Sequence, residues 1–445
     1  MLALLATFAT LVLVVCVGVV LAFKMGDTYG PTDAPAPGGR EESTVGKDKL
    51  ASVAIGPTDP LPLETTDMPP IPTSEPTQQS QAPTVPTPLP TTTTRRSGMM
   101  FCVVGDGLAS MELFKNNLCD YIVYPDLVAE SGQFTPLLGR ASWSIFQEGA
   151  KANPDVGIGL SFTSVGVGEA GSTLDSLHNL ASPLASLAHT MNVTAMGVLN
   201  FAPHLVASAT LLAVAFQALA SAVSLHAGKE AMVFLGVWLH KDDVAQRFAA
   251  EVSTIAHVNT IIIQTHTSLP FVLGHTLCIS RPVSAVAAND ITPSFEVAQR
   301  AEALLRSRGN KFRIMFSSTL GVMVYVGTSV RNEPSGPNQG CDQSYMADWD
   351  FLCSGGAPLG PEVLDRAEMY AYIVYKDGVK QHFVTYETSN SLLDKMDLYV
   401  EKVSDGWAMF EAHRDSAKDC AIQERFQRLK MVQLAARNRS RRGGP

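Results

Sequence analysis

Short apolar, β-prone runs recur along the chain from Met99 onward. Between most of them lies a longer stretch with the character of a helix, as in Ala141–Ala152 and Phe295–Arg308. Alternation of strand and helix predicts a parallel sheet covered by helices. Eight runs are predicted to be strands: Met100–Val104, Tyr121–Tyr124, Val156–Phe162, Val193–Leu199, Ala231–Val237, Asn259–Gln264, Leu320–Tyr325 and Trp407–Phe410.

Repeated strand–helix units predict a closed (β/α)₈ barrel, the TIM-barrel fold, with a small insertion between strands seven and eight. An open, doubly wound α/β sheet is the alternative. In the barrel, the fourth strand lies within Asn192–His204, an apolar run that ends at Ala202-Pro203. This segment contains no acidic residue, and its only ionisable side chain is His204. The fourth strand is therefore predicted to be buried and to supply no carboxylate.

The N-terminal segment is predicted to be a membrane anchor. Residues 1–23 form an apolar run that ends before Lys24 and has no basic residue in front of it. A secretory signal usually has a basic start and only ~7–15 apolar residues, whereas this run could cross about 30 Å of hydrocarbon. A cleaved signal is the alternative. Lys24 alone favours a cytoplasmic C-terminal side, but the downstream sequence has extracellular character. We expect a single-pass membrane protein of the secretory pathway with an extracellular C-terminal domain, or a secreted protein.

Residues 24–97 have the composition of a disordered stalk. Eleven prolines lie between Pro57 and Pro90, interleaved with Thr and Ser. Such a segment buries too little apolar surface to offset its conformational entropy, and it is typical of O-glycosylated stalks. The barrel domain is predicted to span residues 98–420. The basic residues 421–445 are predicted to form a tail, whose first half is a solvated helix with a weak apolar stripe at Phe426, Leu429 and Val432.

Composition and charge exclude some functions. Apolar residues make up 46% of the chain, enough for a large core, and the net charge is −9. No basic field for nucleic acid exists overall, so we expect no nucleic-acid partner. The sequence has no C-x-x-C, no H-E-x-x-H and no Cys/His pair at zinc-finger spacing. We therefore expect no metal and no cofactor.

The cysteines predict disulfides. Cys16 lies in the N-terminal apolar run, and six cysteines remain for an extracellular domain: Cys102, Cys119, Cys278, Cys341, Cys353 and Cys420. Cys102 and Cys119 lie at strands one and two, which are neighbours in a barrel, so they are expected to pair. A second bond is expected to involve Cys341 or Cys353. Glycosylation sequons begin at Asn192 and Asn438. Because the first overlaps a strand predicted to be buried, only Asn438 is expected to be used.

Several segments of the predicted barrel carry family motifs. Phe101-Cys102 is followed by LCDYIVY, FQEGAKANPDVGIGLSFTS begins at Phe146, and FVTYETSNSLLDKMDLYVEKVSDGWAMFEAHRDS begins at Phe383. These segments resemble the family-18 glycoside hydrolases, the chitinases and chitinase-like lectins, which have LCTHIIYAF, FxxLKxxNPxLKVLLSIGG and WVGYDDxxSI motifs. LGVMVYVG at Leu320 resembles the family's seventh strand, and QSY to Cys353 its SYxEIC insertion. The resemblance covers Met99–Cys420 and implies a barrel with a glycan-related function.

The family's catalytic motif is degenerate in this chain. In the family the fourth strand carries D-G-x-D-x-D-x-E, whose Glu protonates the glycosidic oxygen while the neighbouring Asp orients the attacking acetamide of the substrate. The three Asp positions fall on Thr194, Gly197 and Leu199, and the Glu position falls on Phe201. Phenylalanine cannot donate a proton. An alternative register over Asn259–His266 also removes every carboxylate.

Candidate site residues lie where the predicted strands end at the C-terminal mouth of the barrel, the face on which barrel enzymes place their sites. Strand eight has Phe410 where the family has Trp. The candidates for the mouth are His266, Gln264, Tyr325, Phe410, Glu411 and Asp415. Aromatic residues that could stack on sugars are Tyr124, Trp238, Tyr325, Trp349 and Trp407.

The resemblance and its departures together predict a catalytically inactive chitinase-like protein. It would bind chitin, another glycan containing N-acetylglucosamine, or a protein partner at the cell surface. One alternative is an active hydrolase with relocated acids, with Glu411 and Asp415 as the candidates. The other is an ectodomain that only binds protein partners.

Overall fold

The computed structural model describes residues 98–164, 173–203, 209–224, 231–267, 278–289, 292–309, 312–327, 333–354, 357–399, 405–415 and 424–442. The predicted anchor and stalk, His204 and Cys420 lie outside the described residues. Within the described ranges, no helix is long and apolar enough to cross a membrane.

Strands and helices are labelled in chain order. The strands are β1 (Met99–Val103), β2 (Tyr121–Glu130), β3 (Gln133–Pro136), β4 (Gly157–Phe162), β5 (Val193–Phe201), β6 (Met232–Trp238), β7 (Thr260–Gln264), β8 (Arg313–Thr319), β9 (Val322–Gly327), β10 (Gln343–Ala347), β11 (Cys353–Ser354), β12 (Ala357–Pro358), β13 (Val363–Asp365), β14 (Tyr370–Asp377), β15 (Lys380–Tyr386) and β16 (Gly406–Phe410). The helices are α1 (Glu112–Lys115), α2 (Arg140–Ala152), α3 (Thr173–Ser176), α4 (Ala181–Thr190), α5 (Ala209–Ser224), α6 (Asp242–Val252), α7 (Phe295–Ser307), α8 (Ser389–Tyr399) and α9 (Gln427–Arg442).

Eight parallel strands close into a barrel in the order β1-β2-β4-β5-β6-β7-β8-β16, and β16 pairs with β1. The (β/α)₈ barrel is therefore confirmed, and the open sheet is excluded. β5 lies between β4 and β6, as predicted for the fourth strand. β3 adds an antiparallel hairpin to the outer end of β2.

The seventh strand was predicted at the wrong place. Leu320–Tyr325 was expected to fill this position, but the strand between β7 and β16 is Arg313–Thr319. β9 instead begins the insertion. β9 is apolar because it is a central strand of its own sheet, whereas β8 carries Ser317, whose hydroxyl accepts a hydrogen bond from the amide of Thr265 inside the barrel. The more apolar run was therefore mistaken for the barrel strand.

The insertion lies between the seventh and eighth barrel strands, as predicted, and forms an antiparallel sheet in the order β10-β9-β15-β14-β13. The segment from Gln343 to Cys353 belongs to it and lies outside the barrel. The crossover after β7 packs onto this sheet, since the amide of Val283 donates to the hydroxyl of Thr385 at 3.1 Å.

Two disulfides connect described residues. Cys102 bonds to Cys119 with 5.8 Å between their Cα atoms, as predicted from neighbouring strands. Cys278 bonds to Cys341, which confirms a second link involving Cys341. The second disulfide joins the crossover after β7 to the insertion, so it fixes the position of the insertion next to the barrel mouth.

The basic C-terminal segment is not solvated as predicted. Phe426, Leu429 and Val432 are buried in the same core as the outward faces of the barrel strands, and α9 packs against α8 and β1. Arg428 is fully buried and donates to Asp415 at 2.8 Å. The apolar stripe is therefore a core-facing side of a barrel helix.

The barrel interior is filled by side chains rather than open. Its central cluster includes Phe101, Leu199, Phe234 and Met315, all nearly inaccessible to solvent. A Cβ atom on Gly197 would lie 2.0 Å from the carbonyl oxygen of Phe234 and 2.5 Å from its ring. Only glycine fits at position 197, because the Phe234 ring takes the space next to it.

Candidate functional site

A cavity of about 90 Å³ opens at the C-terminal mouth of the barrel. Its walls come from the ends of β1, β2, β5, β8 and β16, from the segment after β7 and from β10 of the insertion. The lining includes Asp106, Tyr124, Asp126, Asn200, His266, Thr267, Thr319, Met346, Phe410 and Glu411. The site therefore lies on the face where barrel enzymes carry out their chemistry.

Two β-bulges direct polar side chains into this cavity. In β2 one residue is extra between Tyr124 and Leu127, and in β5 one residue is extra between Val198 and Phe201. Asp126 and Asn200 lie in these bulges with φ of 54° and 56°. The left-handed conformation is unusual for residues other than glycine, and Asp and Asn adopt it most readily. Each bulge therefore interrupts the regular alternation of side chains along its strand and turns a polar side chain toward the mouth.

A hydrogen-bonded chain connects three barrel strands beneath the cavity. Gln264 Nε2 donates to Asn200 Oδ1 at 2.8 Å. The Asn200 side chain in turn hydrogen-bonds Asp126. Gln264 is 1% exposed, and its Oε1 atom has no protein partner among the described residues. The chain therefore joins β7, β5 and β2, which are the sixth, fourth and second strands of the barrel, at the floor of the mouth.

Burial raises the pKa of Asp126 from 3.8 to about 6, because a partly buried carboxylate loses hydration. The hydrogen bond from Asn200 opposes this shift, and the negative charge of Glu411 adds to it. The native protein therefore holds the Asp126 proton more tightly than the unfolded chain does. The stability that the protonated form provides is present below about pH 4 and is lost as the pH rises through about 6.

We expect Asp126→Asn to stabilise the protein at neutral pH and to have almost no effect at pH 4. The amide keeps an acceptor for Asn200 but carries no charge, so the gain at pH 8 should be about 1–3 kcal/mol. Urea unfolding at several pH values measures it. Asp243→Asn, on the exposed face of α6, is the control and should change stability little at any pH. If Asp126→Asn stabilised the protein equally at every pH, burial of the ionised carboxylate would not be the cause.

Arg414 holds three carboxylates at the edge of the cavity. Its guanidinium donates to Glu411 at 2.7 Å, to Asp348 at 2.8 Å and to Asp106 at 3.0 Å. Burial lowers the pKa of Arg414, but these carboxylates outweigh it and raise the pKa above its usual value. A Cβ atom on Gly107 would lie 2.8 Å from the guanidinium, so a larger residue there would push Arg414 out of these contacts. The cluster joins β1, the insertion and β16.

Two buried histidines remain neutral. His266 lines the cavity, its Nδ1 lies 2.7 Å from Ser317 Oγ, and its ring contacts Phe410 at a centroid distance of 4.2 Å. Burial lowers the pKa of His266 to about 3. Burial, together with Arg414, lowers that of His413 to about 3 as well. His266 therefore presents an uncharged ring beside Phe410, which forms an apolar surface in the mouth.

The structure places three of the six candidate mouth residues on the cavity wall: His266, Phe410 and Glu411. Gln264 lies below the wall as part of the hydrogen-bonded chain. Tyr325 is misplaced, because it lies in β9 and its ring stacks on Phe383 in the insertion. Asp415 is also misplaced, since it is 1% exposed and accepts hydrogen bonds from Arg428 and from the amide of Leu429. Asp415 therefore anchors α9.

The side chains of the fourth strand, β5, do not alternate regularly between the barrel interior and the outer core. Gly197 and Leu199 face the barrel interior, but the bulge at Asn200 turns Phe201 outward into the core beneath the helices. Phe201 was expected to fill the position of the missing acid, and this is wrong. Thr194 lies at the opposite end of the strand and hydrogen-bonds Ile158 O. The residue of β5 that faces the mouth is Asn200.

Sequence reasoning missed Asp106, Asp126 and Asn200. The sequence Tyr124-Pro125-Asp126 held the one available signal, because a proline inside a strand indicates a bulge or an edge. Of the aromatic candidates, Tyr124 lines the cavity, whereas Trp407 is fully buried and stacks on Phe295.

Asn438 is exposed in α9, and its glycosylation stays a prediction. Asn192, next to the start of β5, is also exposed. Burial therefore does not exclude the first sequon, contrary to the prediction. Among the described residues, no group of three or more His, Cys, Asp or Glu side chains could hold a metal ion.

No family model and no curated protein matches this sequence. Solved structures do match. Human YKL-39, described as a pseudo-chitinase with retained chitooligosaccharide binding properties, has a TM-score of 0.54 at 14% identity over 76% of this chain and 99% of its own. A GH18 chitinase from Cycas revoluta in complex with allosamidin has a TM-score of 0.52 at 14% identity, covering 77% of this chain and 100% of its own.

A chitinase-like agglutinin from Robinia pseudoacacia, RobpsCRA, has a TM-score of 0.51 at 12% identity, covering 76% of this chain and 98% of its own. The three structures include an enzyme, a pseudo-enzyme and a lectin-like protein, so the likeness concerns their common barrel. The chain has the barrel fold of the GH18 chitinases and chitinase-like proteins.

Proposed function

We propose that this protein binds an oligosaccharide at the barrel mouth and does not hydrolyse it. The observation that carries the proposal is the fourth strand, where Gly197 and Leu199 face the interior, Phe201 faces the outer core and Asn200 alone reaches the cavity. None of these side chains is a carboxylic acid. General-acid catalysis typically contributes about 10²–10⁴ in rate, and it requires a group that can give up a proton to the leaving oxygen.

The cavity has features that suit a sugar. The rings of Phe410 and His266 form an apolar surface, and sugar rings pack on aromatic faces. Asp126, Asn200 and Glu411 present polar atoms to hydroxyl groups. The chitooligosaccharide binding described for YKL-39, which has the same barrel fold, supports a glycan ligand. The described walls enclose less space than the ~300–1,000 Å³ of a typical ligand site. We infer that they contact one end of the ligand.

A second candidate function is hydrolysis by relocated acids. Asp126 and Glu411 line the same cavity, and the pKa of Asp126, raised to about 6 by burial, suits a group that exchanges protons near neutral pH. Asp126 would protonate the leaving oxygen, and Glu411 would activate water. Asp415 is not part of this alternative, because Arg428 neutralises it away from the cavity.

The test is a pair of measurements on the purified full chain. Isothermal titration with N-acetylated chitotetraose should show saturable binding, while a fluorogenic chito-oligosaccharide should release no product above background. Phe410→Ala should weaken binding at least tenfold by removing the stacking surface, and Phe351→Ala in the insertion is the aromatic control. Turnover that disappears in the Asp126→Asn/Glu411→Gln double variant would establish the second candidate. Neither binding nor turnover would refute both and leave the protein-interaction alternative.

We also propose that the domain acts outside the cytosol, either on the cell surface or as a secreted protein. The two disulfides between described residues support this, because such bonds persist in oxidising compartments. The apolar residues 1–23 support a membrane attachment, and an extracellular protein partner stays a proposal. Protease treatment of intact cells that express the full chain would degrade an extracellular domain and spare a cytoplasmic one.

A further inference from the structure

The mouth cavity has an excess of hydrogen-bond acceptors over donors. Three carboxylates line it, from Asp106, Asp126 and Glu411. Two of the hydroxyl donors on the wall are already engaged: Thr267 Oγ1 donates to Pro282 O at 2.6 Å, and the Tyr124 hydroxyl lies 3.1 Å from Gly139 O. The Asn200 amide is used by Asp126. A well-matched ligand should therefore bring donors and few acceptors.

The charge of the wall is also one-sided. No Lys or Arg is among the residues that line the cavity in the described part of the chain. Arg414 pairs with Glu411 and Asp106 and so offsets only part of their charge. Asp126 has no Lys or Arg within ion-pair distance among the described residues, and the Asn200 amide that it contacts is neutral. Glu411 at the end of β16 adds a like charge nearby, as the raised pKa of Asp126 reflects.

We propose that the mouth selects an amino sugar whose 2-amino group is free and protonated, as in chitosan oligosaccharides, over the same sugar with an acetylated amine. This inference rests on the proposed function. An ammonium group supplies three donors, one positive charge and no acceptor, which complements Asp126 and Glu411. An acetamide supplies a single donor and adds a carbonyl oxygen, which the three carboxylates of the wall cannot hydrogen-bond. A buried acceptor without a partner weakens binding by about tenfold or more.

The arrangement of the cavity wall agrees with this selection. Phe410 and His266 offer a surface for the sugar ring, and Asp126 and Glu411 line the same cavity. Charge selects the amine, and the aromatic surface distinguishes a sugar from another cation.

The experiment compares two tetrasaccharides, fully deacetylated and fully acetylated, titrated into the full chain at pH 6.5. The deacetylated tetramer is expected to bind at least tenfold more tightly, and the preference should shrink as salt is raised. Asp126→Asn should reduce the ratio of the two affinities at least fivefold, because the deacetylated tetramer loses a charge contact that the acetylated tetramer never makes. A folding defect would lower both affinities together. Asp243→Asn, on the exposed face of α6, should leave the ratio unchanged.

A tetralysine peptide of equal charge is the control for non-specific attraction and should bind at least tenfold more weakly than the deacetylated tetramer. Equal binding of the peptide would overturn the inference, because charge alone would then explain the result. Equal or tighter binding of the acetylated tetramer would also overturn it and leave the proposed function standing. An unchanged ratio in Asp126→Asn would contradict the assigned site. No binding of either sugar would refute the inference and the proposed function together.

Discussion

Replacing Phe201 by glutamate should unfold the domain and should not create a hydrolase. The fourth strand aligns Phe201 with the acid of the chitinase motif, so this substitution is the obvious attempt to restore activity. However, the side chain is 3% exposed and packs in the outer core with its β6 neighbour Val237. Removing a buried Phe costs about 3–5 kcal/mol, and an unpaired buried carboxylate adds several more. Domains of this kind have roughly 5–15 kcal/mol of stability in total.

The measurement is urea unfolding followed by circular dichroism, together with the chito-oligosaccharide assay. Phe201→Leu is the matched control and should cost no more than about 1.5 kcal/mol. Asn200→Asp places an acid on the same strand but at the mouth, in a conformation that Asp tolerates, and should remain folded. It should also show no turnover, because Leu199 leaves the neighbouring carboxylate position apolar. A folded Phe201→Glu protein with hydrolase activity would show that Phe201 faces the mouth after all.

Replacing Lys395 by methionine should destabilise the protein by about 3–5 kcal/mol. Lys395 and Glu387 are both fully buried, and Lys395 Nζ donates to Glu387 Oε1 at 2.6 Å and to Ser284 Oγ. Glu387 also accepts from Ser391 at 2.8 Å. Burial lowers the pKa of Lys395, and the charge of Glu387 opposes that shift. The substitution would leave the Glu387 carboxylate buried without its ion-pair partner, which is the costly part.

The double variant Lys395→Met/Glu387→Gln tests this cause. Because the glutamine is neutral and keeps the shape of the side chain, the double variant should recover more than half of the stability that Lys395→Met loses. Lys380→Met, at an exposed position, should stay within about 0.5 kcal/mol of the parent. A double variant as unstable as the single one would mean that Lys395 acts mainly through packing.

Most barrel elements could be predicted because they are local. β1, β2, β4, β5, β6, β7 and β16 are apolar runs separated by helical stretches, and this alternation admits few architectures. Neighbouring strands in a barrel also predicted the bond between Cys102 and Cys119. The seventh strand failed because β8 and β9 are both β-prone and follow each other directly. Which of them pairs with β7 depends on long-range contacts that the local pattern does not contain.

The candidate mouth residues that the sequence predicted correctly lie at the end of a strand or just after it, as Phe410, Glu411 and His266 do. Asp126 and Asn200 reach the cavity through bulges, and a bulge exists only relative to the partner strand. A sequence cannot show that three residues of β5 oppose two of β6. The same limit applied to Phe201. The extra residue before it turns its side chain from the barrel interior to the outer core.

By itself the sequence determined the barrel, the absence of an acid from its fourth strand and the position of the inserted sheet. These features can be read from the residue types and from the alternation of strand-like and helix-like segments along the chain. The tertiary structure alone decided which charges meet. Arg414 bonds Asp106, Asp348 and Glu411, although Asp106 lies 308 positions away. It also decided that α9 is buried rather than solvated, since Arg428 becomes acceptable in the core only when Asp415 is beside it. Such pairings depend on distances that only the folded chain defines, and they give the mouth its acidic character.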